Sequence, residues 1–238
     1  MLHSAAGFYS GIMIAPLTGL IAGAAHVWSG PDHLAAIAPL AVRQRRRPWL
    51  SGMRWGLGHS AGVALVGLLS LGLRDLLPLE ALASWGERFV GLTLIGIGLW
   101  TLRAALRHGI HTHEHEHDGA RHLHIHVHHR HGEHEDPAAH RRHLHAAFGI
   151  GTLHGLAGSS HFLGVLPVLA FPTKLQAFSY LVAYGLGTIL SMAAFSWAMG
   201  AVNQRWGAQS VKFYRGLLGT TAVAALLIGG MWLFAGGF

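Results

Sequence analysis

The chain contains no cysteine among its 238 residues. Disulfides and thiolate ligands are therefore excluded, and any metal site must use imidazole, carboxylate, carbonyl, hydroxyl or thioether groups. Charged residues make up 11% of the chain, whereas a soluble domain carries about a quarter. The phosphate-binding sequence G-x4-G-K-[ST] is also missing. Energy for any transport would therefore come from an ion gradient, the membrane potential or an external partner.

Apolar residues make up 51% of the chain, and apolar runs of 18 or more residues recur along it. Each run is long enough to cross a bilayer as a helix. The first run lacks the basic start and the small-residue cleavage site of a signal peptide, so we interpret it as mature sequence. The pattern predicts an integral membrane protein with six spans, at about 8–42, 52–73, 85–106, 146–171, 177–201 and 213–235.

The first apolar run is too long for one straight helix. Its 35 residues would extend about 50 Å, against a hydrocarbon core of about 30 Å, and Ser29-Gly30-Pro31 interrupts it. Proline disfavours helical continuity at this point. We therefore predict a broken helix, with one half ending near Trp28 and the next beginning at Pro31-Asp32.

The motif around the break returns 128 residues later, where His154 and His161 repeat the spacing of His26 and His33. In both copies a glycine follows four residues after the first histidine, and a proline follows thirteen after it. Inverted repeats with broken helices are typical of transporters. The expected fold class is an all-α integral membrane protein, with six transmembrane helices in two inverted three-helix repeats and a broken first helix in each half. The repeats would cover residues 1–107 and 146–238, with a polar histidine-rich loop at 108–145.

The positive charges divide unevenly between the two predicted sides. If the connection between the first two spans is cytoplasmic, that side carries 14 of the 17 lysines and arginines. This bias predicts a multi-pass protein of a bacterial-type cytoplasmic membrane, with both termini outside and the histidine-rich loop in the cytoplasm. Because no aromatic-studded basic groove accompanies the charges, nucleic acid is not an expected partner.

Histidine and aspartate are expensive at membrane depth, so their default interpretation there is functional. Imidazole is the usual ligand of nickel, cobalt, copper and zinc, and a carboxylate compensates charge. The alternative is that His26 and His33 bond to backbone groups freed by the break. His59 could complete the site or pack against a hydroxyl. The candidate metal ligands are His26, Asp32, His33, His59, His154 and His161.

The predicted loop holds 15 of the 21 histidines. Such tracts bind divalent transition metals adaptably, and the alternative is a solubilising linker. Whether the loop stores, senses or delivers metal stays open. A weaker candidate is the amino-terminal His3, which could join a square-planar chelate. The secondary candidates are His3, His111, His113, His115, His117, His122, His124, His126 and His128.

With His26 to His33, Leu34-Ala-Ala-Ile-Ala-Pro39 and Gly56-Leu-Gly-His59, the chain resembles the nickel/cobalt transporter superfamily. It is most similar to the shorter permeases of the NicO and urease-accessory UreH type, and the mid-chain histidines resemble the RcnA-type exporters. The long permeases carry H-x4-D-H, whereas the spacing here is H-x5-D-H. The resemblance implies metal recognition in transit by His26, Asp32 and His33. The second copy has Ser160 in place of the aspartate.

The function expected from the sequence is transport of Ni(II), and of Co(II), with these ions as cargo rather than cofactors and with uptake favoured over efflux. The expected partners are the ion, the lipid bilayer and, as a further candidate, a cytoplasmic metallochaperone. Two rival hypotheses are an intramembrane zinc hydrolase and a metal sensor or delivery protein acting through the loop. The sequence predicts no enzyme, and Gly58-His-Ser-Ala-Gly62 lacks the strand-turn-helix context of a nucleophile elbow. Oligomeric state is not predicted.

Overall fold

The computed structural model describes residues 2–44, 47–73, 79–106, 110–117, 120–127, 137–157, 166–207 and 210–235. Within these ranges the protein has seven α-helices, a short 3₁₀ helix, a π-helical turn and a two-stranded antiparallel sheet. The elements in chain order are α1 (Leu2–Ser29), α2 (Pro31–Arg43), α3 (Pro48–Leu73), α4 (Leu79–Leu106), β1 (Ile110–His117), β2 (Ala120–Val127), α5 (Pro137–Ala157), the 3₁₀ helix (Leu166–Ala170), α6 (Lys174–Val202), the π turn (Asn203–Gly207) and α7 (Val211–Ala235).

Several helices carry the length and composition of membrane spans. Within the described residues, Ser84–Leu106, Lys174–Gly207 and Val211–Phe234 are long and apolar enough to cross a bilayer, and Met13–Ser29 is a shorter apolar helix. Large apolar side chains such as Leu92, Leu190 and Phe234 are exposed on these helices, while Thr101, Ser191 and Thr221 are buried. This is the distribution expected where the surroundings are lipid. The protein is therefore a membrane protein with several apolar helices.

The helix break lies at Gly30, which confirms the prediction made from Ser29-Gly30-Pro31. Gly30 has an extended backbone (φ −93°, ψ 96°), and Pro31 occupies the first turn of α2. Proline lacks the N–H group that the preceding helix would need, so a new helix begins there. The amide of Gly30 still donates to the His26 carbonyl, at 3.1 Å. The break therefore keeps the end of α1 beside the start of α2.

In the first half, α1 ends at Ser29, three residues after His26. In the second half, α5 is described as far as Ala157, three residues after His154. The predicted break that follows lies at 158–165, outside the described residues. The next described element is the 3₁₀ helix that contains Pro167.

Helix α4 begins at Leu79, and the part of it that is apolar enough to cross a bilayer, Ser84–Leu106, agrees with the predicted span at about 85–106. Two details of the sequence interpretation are wrong. Helix α5 covers Pro137–Ala157 and so extends into the predicted loop. Residues 110–117 and 120–127 pair as antiparallel strands instead of forming an irregular loop, so the all-α prediction holds only for the apolar part. Histidine alternates with other residues there, and such alternation is the pattern of a strand.

Helix α2 occupies the centre of the helical bundle. It contacts α3, α4, α6 and α7, and Ile37 is fully buried in a core cluster with Val27, Trp55 and Met192. Most of its residues are buried. Any polar residue of α2 near the break is therefore held at the interior of the bundle.

Glycines bring the other helices into close contact. A Cβ atom at Gly23 of α1 would collide with the Tyr184 carbonyl of α6, and one at Gly151 of α5 would collide with the Trp55 carbonyl of α3. Small residues at such positions let membrane helices approach at backbone distance. These contacts fix α1 against α6 and α3 against α5.

The same kind of contact gives the helix directions. Along α3, Gly58 meets Phe148 and Gly62 meets Thr152, so α3 and α5 run parallel. In the pair α4 and α7, which also pack together, Gly91 meets Gly229. Gly98, further along α4, meets Ala222, which is earlier in α7. Helices α4 and α7 are therefore antiparallel.

Candidate metal site

The break between α1 and α2 places three polar side chains close together, of which Asp32 and His33 are buried and His26 is half-buried. His26 stands in the last turn of α1, and Asp32 and His33 stand in the first turn of α2. Asp32 is 3% exposed and His33 is 1% exposed. The imidazole centroids of His26 and His33 lie 4.6 Å apart and are nearly perpendicular. A continuous helix would hold them about 10 Å apart, so the break brings them together.

Two further histidines come from the neighbouring pair α3 and α5. His59 and His154 are both buried, and a Cβ atom at Gly155 would collide with the His59 carbonyl. The His33 ring lies 4.9 Å from that of His59 and 4.8 Å from that of His154. The close approach of α3 and α5 at this glycine therefore sets both imidazoles beside His33.

Two sets of potential ligands result, and His33 belongs to both. The first set is His26, His33 and His59, and the second is Asp32, His33 and His154. Within each set the potential ligand atoms lie within 4.8 Å of one another. Clusters of imidazole with one carboxylate suit nickel, cobalt, copper and zinc more than calcium or magnesium.

The carboxylate of Asp32 lies between two histidines. His33 Nδ1 donates to Asp32 Oδ1 at 3.0 Å, and His154 Nε2 donates to Asp32 Oδ2 at 2.8 Å. A neutral imidazole that donates through one nitrogen presents a lone pair at the other. These bonds therefore orient Nε2 of His33 and Nδ1 of His154 as the atoms able to bind a cation.

Two aromatic residues flank the cluster. Trp55 is fully buried, and its ring stacks on His59 at 5.0 Å and lies 5.1 Å from His154. The Tyr184 ring lies 5.7 Å from His26. Such rings restrict the imidazoles to a few orientations and shield them from lipid and water.

The structure thus brings together His26, Asp32, His33, His59 and His154, five of the six primary candidates. The sixth, His161, lies outside the described residues, as does His128. His3 lies in α1, but its side chain is outside the described part, and the remaining tract histidines lie in β1 and β2.

Sequence reasoning missed Trp55 and Tyr184 as neighbours of the cluster. A signal for them was present, because Trp55 immediately precedes Gly56-Leu-Gly58 and Tyr184 immediately precedes Gly185-Leu-Gly187. The two halves therefore share the pattern aromatic-Gly-Leu-Gly, at 55–58 and at 184–187.

Comparison with known protein families identifies one that matches most of the chain. The family described as "Cytochrome C biogenesis protein transmembrane region" matches residues 14–231. The chain belongs to this family. The nickel/cobalt transporter superfamily inferred from the motifs is therefore not the family that the match identifies.

Three curated relatives were found. Two are chloroplast proteins of Arabidopsis thaliana named FOR GROWTH AND FERTILITY 2 and FOR GROWTH AND FERTILITY 1. Each is 33% identical to the chain, over 195 and 196 residues that cover 81% and 82% of this chain but 49% and 52% of the relatives. The chain thus spans about half the length of these two curated relatives.

The third relative is the urease accessory protein UreH of Bacillus sp. (strain TB-90). It is 24% identical over 213 residues, which cover 89% of this chain and 86% of UreH. This match confirms the UreH part of the resemblance seen in the sequence. No solved structure matches the chain significantly.

Proposed function

We propose that this protein transports Ni(II), and also Co(II), across a cytoplasmic membrane through the histidine cluster at the helix break. The observation that carries the proposal is the position of His33, which is buried and shared by two potential ligand sets. Membrane-buried ionisable groups mark ion pathways by default. The relationship to a urease accessory protein supports the same function, because urease accessory proteins serve a nickel enzyme.

The arrangement gives a stepwise route for the cargo ion. A hydrated cation would exchange water for imidazole nitrogens of His26, His33 and His59. Because His33 also belongs to the set with Asp32 and His154, the ion can pass to that set without losing all imidazole contact. The negative charge of Asp32 offsets part of the ion's charge in the low-dielectric interior.

We further propose that six spans form two inverted repeats that rock around this site. Corresponding contacts in the two halves support the symmetry. A Cβ atom at Gly58 would collide with the Phe148 carbonyl, and one at Gly187 would collide with the Leu20 carbonyl. These two glycines end the same Gly-Leu-Gly sequence in the two halves.

The helix directions support the same topology. Parallel packing of α3 with α5 and antiparallel packing of α4 with α7 are the relations expected if every span crosses opposite to the one before it. In that topology the second three-span repeat has the opposite orientation in the membrane to the first, because each repeat contains an odd number of spans. The charge bias then assigns β1 and β2 to the cytoplasm.

The hydrolase hypothesis is less compatible with the geometry. A zinc hydrolase of this type needs a carboxylate that activates water. Among the described residues of the cluster, the carboxylate is that of Asp32, and each of its oxygens accepts a hydrogen bond from a histidine. We therefore propose no enzymatic activity.

Radioactive nickel flux in cells tests the transport function. Cells expressing the chain are compared with cells expressing the double variant His26→Ala, His33→Ala. The control is Thr101→Val, which alters a buried side chain that donates a hydrogen bond within α4 to Ile97. Faster accumulation that the double variant loses would establish uptake. Faster loss of preloaded nickel, abolished in the same variant, would establish efflux. No flux difference, with the protein present in the membrane, would refute the proposal.

A further inference from the structure

The antiparallel strands β1 and β2 arrange the tract histidines in a definite register. His111 is paired with His126, His113 with His124, and His115 with His122. Residues directly opposite each other in an antiparallel pair belong to the same face, with Cβ atoms about 4.5–5.5 Å apart. Three histidine pairs therefore occupy positions on one face of the hairpin.

The alternation is complete in both strands. Histidine occupies every second position from 111 to 117 and from 122 to 126. Because successive strand residues belong to opposite faces, one face of the hairpin holds seven histidine positions and Ala120. The other face holds Ile110, Thr112, Glu114, Glu116, Arg121, Leu123, Ile125 and Val127. A solubilising linker would need no such segregation.

The sequence between the strands agrees with this register. Asp118-Gly119 separates His117 from Ala120, and Asp-Gly is a favoured dipeptide of two-residue hairpin connections. On the second face, Glu116 is paired with Arg121, and opposite charges at such positions favour pairing. Strand β1 also contacts α7, so the hairpin lies against the helical bundle.

We propose that the histidine face of this hairpin is a second metal site, separate from the helix break, which binds divalent transition-metal ions on cross-strand histidine pairs. Imidazole is a ligand common to nickel, cobalt, copper and zinc. A two-stranded hairpin is only marginally stable by itself in water. An ion held by both strands stabilises their pairing, so metal occupancy and strand order are coupled.

The test asks whether nickel binding depends on which histidines are paired across the two strands or only on how many histidines the hairpin contains. It uses full-length protein in detergent that carries His26→Ala and His33→Ala, so that nickel binding at the helix break is removed. In β2 the variant His122→Leu, Leu123→His, His124→Ile, Ile125→His, His126→Val, Val127→His keeps the composition but moves all three paired histidines to the opposite face. Equilibrium dialysis with nickel chloride measures the tightest class of binding.

The moved-histidine variant is expected to bind nickel about tenfold more weakly or worse, because the chelating pairs lose one member. The matched control Leu123→Ile, Ile125→Leu exchanges residues within the second face and is expected to bind as the background does.

Equal affinity of the moved-histidine variant and its control would overturn the proposal, because binding would then follow composition alone. The same moved-histidine change is also placed in the otherwise unmodified chain, and nickel flux is measured. Flux reports on the helix-break site and dialysis on the hairpin, so failure of one proposal is distinguishable from failure of the other.

Discussion

Asp32 and His154, which are 122 residues apart in the chain, are joined by a 2.8 Å hydrogen bond between buried side chains. The same carboxylate also accepts from His33 at 3.0 Å. Asp32 therefore couples the helix break of the first half to α5 of the second half. Any rearrangement that separates the halves must change this bond, which makes Asp32 a sensitive position for mutation.

Asp32→Asn is expected to weaken nickel binding at the helix break by about 10- to 100-fold, the usual cost of losing a group that orients a metal-binding histidine. The asparagine amide keeps one acceptor but turns an NH2 group toward one of the two histidines. The measurement is nickel affinity of purified protein in which residues 110–127 have been deleted, so that the hairpin histidines do not contribute.

The control for this variant is Thr101→Val in the same deletion background. Thr101 is fully buried and donates to Ile97 at 2.7 Å, and it belongs to neither ligand set. It is expected to leave nickel affinity unchanged. Unchanged affinity in Asp32→Asn would contradict the role assigned to the carboxylate.

Gly151→Ala is expected to destabilise the protein by about 1–3 kcal/mol, the usual cost of overpacking. The added methyl group would collide with the Trp55 carbonyl and force α3 and α5 apart. Gly149→Ala, on the same helix, meets no atom within 4 Å and is expected to be neutral or slightly stabilising. Thermal unfolding in detergent compares the two variants directly.

Gly23→Ala extends this test to the other half. Gly23 approaches the Tyr184 carbonyl as Gly151 approaches that of Trp55, so the proposed repeat predicts a loss of stability similar to that of Gly151→Ala. A Gly23→Ala protein as stable as Gly149→Ala would count against equivalent packing in the two halves.

Trp55→Phe is expected to abolish most of the change in tryptophan fluorescence that nickel produces. Nickel quenches nearby indoles, and the Trp55 ring stacks on His59 at 5.0 Å. The chain has eight tryptophans, so Trp85→Phe, which removes a 70% exposed ring, serves as the control. Equal quenching in both variants would show that nickel binds away from Trp55.

The absence of native cysteine allows the proposed topology to be tested without a labelling background. Thr112→Cys in β1 is expected to react with a membrane-impermeant maleimide only after cells are permeabilised. Lys174→Cys, at the exposed start of α6, is expected to react on intact cells, because the charge bias assigns the two positions to opposite sides. Labelling of both positions on intact cells would contradict the assigned orientation.

Local features of the site were predictable from the sequence, and long-range ones were not. Gly30-Pro31 in an overlong apolar run identified the helix break, because proline interrupts a helix wherever it packs. The bond from His154 to Asp32 depends on how α5 packs against α3, and no periodicity encodes that distance. The hairpin was not predicted, although its signals were local: histidine alternates along both strands, and Asp-Gly lies between them. Its polar, histidine-rich composition is also typical of a loop.

The sharing of His33 between the two ligand sets has a kinetic consequence. Two divalent ions a few ångströms apart would repel each other strongly in a low-dielectric interior, and both would need the same imidazole. The metal site proposed at the helix break would therefore hold one ion at a time. Nickel flux should rise hyperbolically with nickel concentration, without cooperativity, and cobalt should inhibit it in a purely competitive manner.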